Sequence, residues 1–162
     1  MKELTLVRHA KSSWQHASLH DHERPLNRRG ERDAPMMGER LAKRNVKPDL
    51  IVSSPAVRAH ETAAIIAKKL GYRRKKIVVE GRVYNASVAD LLDVLQNLDD
   101  SMTRVMVFGH NPGMTELVNR LGPREIDDLP TCGVVQLRFD TEKWVRLGEV
   151  AVQEVFYEVP KA

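Results

Sequence analysis

One cysteine, Cys132, stands in 162 residues. It has no internal partner for a disulfide, so a reducing cytoplasm is the expected setting. Long apolar runs are also missing. The longest, such as Val105–Phe108, are far too short to cross a bilayer. The stretch Met1–His9 is broken by Arg8 and lacks a small-residue cleavage site, so it does not read as a signal peptide. Aromatic residues make up 5% of the chain and no basic stripe is concentrated in it, which argues against nucleic acid as a partner. The six histidines show no HExxH or other tight ligand spacing, and no metal or cofactor is expected. No repeat period and no low-complexity linker interrupt the chain.

What is present is ordinary for a globular protein. The hydrophobic fraction is 42% and the charged fraction 30%. The length suits one domain spanning 1–162, and a monomer is expected. The formal net charge is +4; a mild excess of this kind supports an anionic ligand without specifying one. The tightest basic run, Arg73-Arg74-Lys75-Lys76, reads either as a solvated turn or as a docking patch for an acidic or phosphorylated partner.

Strand-like and helix-like segments alternate. Leu4–Val7, Asp49–Val52, Ile77–Val79, Arg104–Phe108, Gly133–Phe139 and Val150–Tyr157 read as six strands. Several are nearly continuous apolar runs, as strands buried on both faces are. Ser54-Pro55 reads as a cap and first turn. Ala59, Ala63, Ile66, Ala67 and Leu70 then share a helical face, and Gly71 is the stop. Ser87 with Asp90 forms a capping-box-like pair ahead of Leu91, Leu92, Leu95 and Leu98. Met114, Leu117, Val118 and Leu121 mark another helix, ended by Gly122-Pro123, and a further one spans about Glu31 to Arg44. The pattern predicts a three-layer α/β/α sandwich with a mostly parallel central sheet. Ligands in such folds gather past the carboxyl ends of the strands.

Three strand ends carry chemistry. Arg8-His9 follows the first, Ser53-Ser54-Pro55-Ala56-Val57-Arg58 the second and Gly109-His110 the fourth. If those strands are parallel neighbours, two histidines and two arginines meet. Such a set suits phosphoryl transfer, which needs an in-line nucleophile and fixed cationic donors around the equatorial oxygens. Arginine offers a planar fork that keeps its charge. A neutral imidazole can attack phosphorus if its other nitrogen is held as N–H, usually by a backbone carbonyl. A second, protonated histidine can donate to the transferred group. Any one of these residues alone would more often be structural; their joint placement carries the reading.

Leu6-Val7-Arg8-His9-Ala10 resembles the Arg-His-Gly signature of the histidine phosphatase superfamily, the phosphoglycerate mutase-like proteins. Ser54-Pro55-Ala56-Val57-Arg58-Ala59-His60-Glu61-Thr62 resembles that family's Ser-Pro-x-x-Arg-Ala-x-x-Thr segment, and Gly109-His110-Asn111-Pro112 its second-histidine loop. The order is the family's. The short chain and the Arg24-Pro25-Leu26 and Arg29-Gly30 segments resemble the compact SixA-type phosphohistidine phosphatases. The resemblance implies that His9 is the phosphate-accepting nucleophile and that Arg8, Arg58 and His110 line the phosphate pocket. Gln15, where the family often has asparagine after tryptophan, and Ser12 and Lys11 are further first-loop candidates. Ala10 replaces a glycine, which the loop tolerates where φ is negative.

Many members carry an acidic proton donor after the third strand. Here Val83-Tyr84-Asn85 is the best match, which sets Asn85 in the acid's place, and Glu80 is out of register. Asparagine can bind but cannot protonate an alkoxide, a step worth about 10²–10⁴-fold. An imidazole leaving group takes its proton easily. The expected substrate is therefore phosphohistidine on a partner protein, such as a histidine phosphotransfer domain. A small-molecule or serine/threonine phosphate ester is the alternative, followed by a non-catalytic phosphate-binding domain. The Ser13–Arg24 segment with His16, His20 and His22 reads as an exposed loop at the rim, either simply polar or contacting the partner. Thr131 and Cys132 could also reach the rim, but no histidine-partnered motif makes Cys132 a nucleophile.

Overall fold

Among the described residues, six strands and four α-helices realise the expected alternation. The computed structural model describes residues 1–15 and 18–160. The strands are β1 (Lys2–Arg8), β2 (Leu50–Ser53), β3 (Val78–Val79), β4 (Arg104–Gly109), β5 (Val134–Phe139) and β6 (Val152–Glu158). The helices are α1 (Arg28–Lys43), α2 (Val57–Leu70), α3 (Val88–Gln96) and α4 (Gly113–Leu121). All six strands join one sheet in the order β3-β2-β4-β1-β5-β6. The first four in that order run parallel, and β5 and β6 are antiparallel additions at one side.

The central strands are apolar on both faces because helices cover both. Period-two alternation divides their side chains. Leu4, Leu6, Val105, Val107, Val135 and Leu137 point to the layer of α3 and α4, where Leu91, Leu95, Leu117 and Trp144 pack. Val7, Ile51, Met106, Phe108 and Val134 point to α1 and α2, against Met37, Leu41, Ala63 and Ile66. The one polar pair on the inner strands is satisfied internally: buried Gln136 donates through Nε2 to Thr5 Oγ1 across the β1–β5 pair.

Local signals set the helix ends. Ser87 accepts from Asp90 N–H while the Asp90 carboxylate accepts from Ser87 N–H, the anticipated capping box. Gly71 ends α2 in the left-handed region at φ 76°. Helix α1 begins earlier than its apolar stripe suggested, because Asn27 caps it by accepting from Gly30 N–H. Helix α2 starts later than Ser54-Pro55 suggested. Ala56 is its cap residue, without a side-chain bond, and the Ser54 hydroxyl is used elsewhere. The third strand shrinks to Val78–Val79 and lies exposed at the sheet edge, not buried on both faces. Arg73–Lys76 lies on an exposed 3-10 turn just before it.

Register then positions the loops. Arg8 pairs with Gly109 and Ser53 with Phe108. The residues that follow, His9, Ser54 and His110, therefore leave the sheet at one level. The adjacency on which the sequence argument depended is present: β2, β4 and β1 are consecutive and parallel.

Candidate active site

His9 sits at the end of β1 with 7% of its surface exposed. Its Nδ1 lies 2.7 Å from the Ala10 carbonyl oxygen. A carbonyl can only accept, so Nδ1 carries the proton and the lone pair belongs to Nε2. Nε2 makes no hydrogen bond to a described residue. Burial is the main reason the imidazole pKa falls to about 3; the Ala10 carbonyl opposes this, while His110, Arg58 and Arg8 add to it. The ring is therefore neutral at physiological pH, the form a nucleophile needs. Ala10 is fully buried and is not among the residues with positive φ, so the methyl that replaces a hydrogen fits.

Two further contacts fix the His9 backbone. Its N–H donates to Gly109 O at 3.0 Å, and Cys132 N–H is shared between Arg8 O and His9 O, both at 3.0 Å. Cys132 adopts φ 60° to do so. Its thiol is buried and burial pushes its pKa up to about 12, so it is inert in the role of a nucleophile. Thr62 ties the loop to α2: its hydroxyl donates to Arg58 O at 2.7 Å and accepts from Ala10 N–H at 3.0 Å.

The other three side chains close around the same point. The His9 and His110 ring centroids are 5.0 Å apart. Arg8 and Arg58 both act electrostatically on each imidazole and help to keep it uncharged. Arg8 Nη1 donates to Leu129 O at 2.9 Å, with the Asp128 carboxylate 3.7 Å away. Arg58 donates from Nη1 to Asp21 O at 2.7 Å and from Nη2 to Asp21 Oδ2 at 2.9 Å. His110 Nε2 is 2.7 Å from Ser54 Oγ. The Ser54 oxygen also accepts from Ala56 N–H, so one hydroxyl holds the His110 ring and the approach to α2. Burial first, then Arg58, lowers the His110 pKa to about 4. The second histidine is thus held neutral in the free protein, whereas the sequence reading gave it a proton.

Three buried polar side-chain atoms among the described residues lack any hydrogen-bond partner: Arg8 Nε, Arg58 Nε and His110 Nδ1. The two arginine nitrogens are donors, and all three atoms belong to the set named from the sequence. An unpaired buried donor costs about 1–3 kcal/mol, so each calls for a reason in the structure. Two arginines and a second imidazole that act on a neutral His9 ring suit an oxyanion such as phosphate. Among the described residues, no three histidine, cysteine or carboxylate side chains come together as a metal site would require.

The remaining candidates stand apart from that point. Ser12 is buried, and its Oγ accepts from Arg24 Nη1 at 2.8 Å. Lys11, Trp14 and exposed Gln15 line an outer cleft of about 660 Å³ with Asn27 and Arg28. Asn85 is exposed in a left-handed turn at φ 53°. Its neighbour Tyr84 enters instead, edge-on to His110 with centroids 5.5 Å apart. Glu80 turns back to accept from Arg82 N–H and lines a cleft with Leu50 and Val52, one that contains none of the four site residues. His16 lies outside the described residues.

Sequence reasoning missed Asp21. It lies on a single 3-10 turn, Asp21–Glu23. Beyond Arg58, its Oδ2 accepts from the Tyr84 hydroxyl at 2.6 Å and its Oδ1 from Arg24 Nε at 3.1 Å. Those bonds, Tyr84's foremost, hold the carboxyl well below the usual carboxylate range, and the same bond raises the Tyr84 pKa. Arg24 also lies 3.5 Å over the Trp14 ring. A polar loop of this length has no periodicity to read, so only its position as a rim segment was legible.

Comparison with known proteins agrees with the geometry. Residues 4–84 match the model of the histidine phosphatase superfamily, branch 1. An uncharacterised chloroplastic protein of Arabidopsis thaliana is 32% identical over 151 residues, 88% of this chain and 69% of that protein. A structure from Agrobacterium tumefaciens, provisionally assigned as a SixA phosphohistidine phosphatase, superposes with a TM-score of 0.84 at 26% identity, covering 99% of both chains. A SixA protein histidine phosphatase complexed with tungstate superposes at 0.83 with 20% identity, covering 98% of this chain and 97% of that one. The loops that carry Arg8, His9 and Arg58 fall within the matched span, and the whole of the sheet is shared: the chain belongs to the histidine phosphatase superfamily, and its fold is that of the SixA-type branch.

Proposed function

We propose that this phosphatase hydrolyses phosphohistidine on a partner protein, a histidine phosphotransfer domain or similar, through a phosphorylated His9. The unpartnered buried nitrogens of Arg8, Arg58 and His110, with the His110 ring 5.0 Å from that of His9, support this reading. His9 Nε2 attacks phosphorus while Arg8, Arg58 and His110 Nδ1 hold the equatorial oxygens. The Ala10 carbonyl keeps the proton on Nδ1. The phosphorylated ring is therefore cationic and readily released when water attacks in the second step. No metal takes part in this sequence.

The leaving group decides the substrate class. Asp21 is held ionised, the Tyr84 phenol is held protonated above its ordinary range, and Glu80 lies in another cleft. Among the described residues, neither of these two carboxylates is set to give an alkoxide its proton, and an imidazole needs none once its ring is protonated. The rim supports a protein substrate: Trp14 is 75% exposed, and His20 and His22 of the same Ser13–Arg24 segment are exposed too. All four site residues come from one chain, so a monomer carries a whole site. The single buried thiol suits a reducing cytoplasm.

The test is incubation with a phosphohistidine-bearing protein and, separately, with an aryl phosphate and a phosphoserine peptide. An acid-labile phosphoenzyme should form in the wild type and be lost in His9→Ala, and a chelator should leave activity intact. Faster turnover of the phosphoserine peptide than of phosphohistidine would favour the ester reading. Dependence on added magnesium would refute the mechanism.

A further inference from the structure

Arg58 presents two donor edges. Nη1 and Nη2 form its end; Nε and the second hydrogen of Nη2 form its side. Asp21 occupies the end completely, with its carbonyl on Nη1 and Oδ2 on Nη2. The side edge carries Nε, which is buried without a partner; it is the edge left for a phosphate. A phosphate bound there would meet the carboxylate at one nitrogen, Nη2. A carboxylate fixed next to a phosphoryl group repels it. Its placement there is useful if something positive arrives with the phosphate. Three hydrogen bonds occupy Asp21, two on Oδ2 and one on Oδ1. A carboxylate has about four acceptor positions, so one on Oδ1 is open, and 49% of the side chain is exposed.

We propose that Asp21 is the leaving-group residue: its carboxylate accepts a hydrogen bond from the free ring N–H of the substrate's phosphohistidine and keeps that ring cationic while the P–N bond breaks. This rests on the phosphohistidine reading above. The step balances without a proton donor. The phosphorylated ring enters with a proton on its unphosphorylated nitrogen. His9 Nε2 gives its lone pair to phosphorus. The P–N electron pair goes to the departing ring nitrogen, and the proton stays where it was, so the substrate leaves as neutral imidazole. Without that proton the leaving group would be an imidazolate anion. Asp21 thus does for P–N substrates what a neutral acid does for esters, and the same charge disfavours an ester whose leaving oxygen becomes negative.

Asp21→Asn keeps the shape and removes the charge, and the residue is exposed enough that the fold tolerates it. The experiment measures kcat/KM from pH 6 to 9 for a phosphohistidine-bearing protein and for 4-nitrophenyl phosphate. The groups facing Asp21 are Arg24 from its own loop, Arg58 from α2, Tyr84 from the turn after β3 and His110 after β4. His110, held neutral well below this range, and Tyr84, held protonated above its ordinary value, are common to both substrates. Expected is a loss on phosphohistidine at least tenfold greater than on the aryl ester, with the alkaline limb of the phosphohistidine profile moved about one pH unit lower. Equal losses on the two substrates with an unmoved profile would overturn the proposal and leave Asp21 as a support for Arg58 alone. Failure of the phosphohistidine reading itself shows separately, as a wild type that turns over the ester and leaves phosphohistidine untouched.

Discussion

His9 and Ala10 show how little chain is needed to give an imidazole the form a nucleophile requires. The backbone carbonyl of the next residue selects the tautomer, and burial keeps the ring uncharged. His110 needs a partner from another strand end. Ser54 bonds to it while accepting from Ala56 N–H, so one hydroxyl links the second histidine to the approach of α2. Ser54→Ala should leave the fold intact and lower kcat about tenfold, the value of one lost orienting hydrogen bond, in steady-state kinetics. Arg58→Lys should cost far more. A lysine is a point charge and cannot hold Asp21 on one edge and phosphate on another; kcat/KM should fall about 10²–10³-fold. At this scale the sequence was informative where residues sit in contiguous motifs. Arg8, His9, Arg58 and His110 were all legible. Asp21 was not, because its partners Arg58 and Tyr84 are 37 and 63 residues away.

Among the elements, the first loop depends on contacts with α1 and α2. Gly30, in the first turn of α1, sits so close to the loop that an added Cβ would lie 2.1 Å from Lys11 O. Gly30→Ala should therefore push the loop away, lowering stability by more than about 2 kcal/mol in urea unfolding and reducing turnover with it. Thr62→Val would leave the buried Ala10 N–H unpaired, at a cost of about 1–3 kcal/mol, measurable in the same way. Helix α3 was readable to its first residue because its capping box is local. The start of α2 was not. Serine followed by proline is a cap signal, but the Ser54 hydroxyl serves His110, an interaction that no local pattern encodes. The third strand was read only as a short apolar run, and its two valines form an exposed edge, since apolar composition does not say which strand comes last in a sheet.

For the molecule as a whole, two buried neutral imidazoles couple folding to pH. His9 and His110 have folded pKa values of about 3 and about 4, below the ordinary histidine value of about 6.5. The unfolded chain therefore binds protons that the folded chain refuses. Their contribution is fully present above about pH 6.5 and is lost as pH falls toward 4 and 3, by about 2 kcal/mol per ring at pH 5. The Tm should fall between pH 7.5 and 5, and inorganic phosphate should reduce that fall by pairing with the imidazolium forms. A flat Tm across this window would contradict the burial of the two rings.

The alternation of strands and helices, the cap of α3 and the four candidate residues of the phosphate pocket were legible in the sequence alone, because each is written in a stretch of a few residues. Which strands became neighbours, which carboxylate came to rest against Arg58 and which donors were left unpaired were decided only in the tertiary structure. Those outcomes depend on strand register and on contacts between distant segments, and pairing across such distances is set by how the whole sheet packs between its helices.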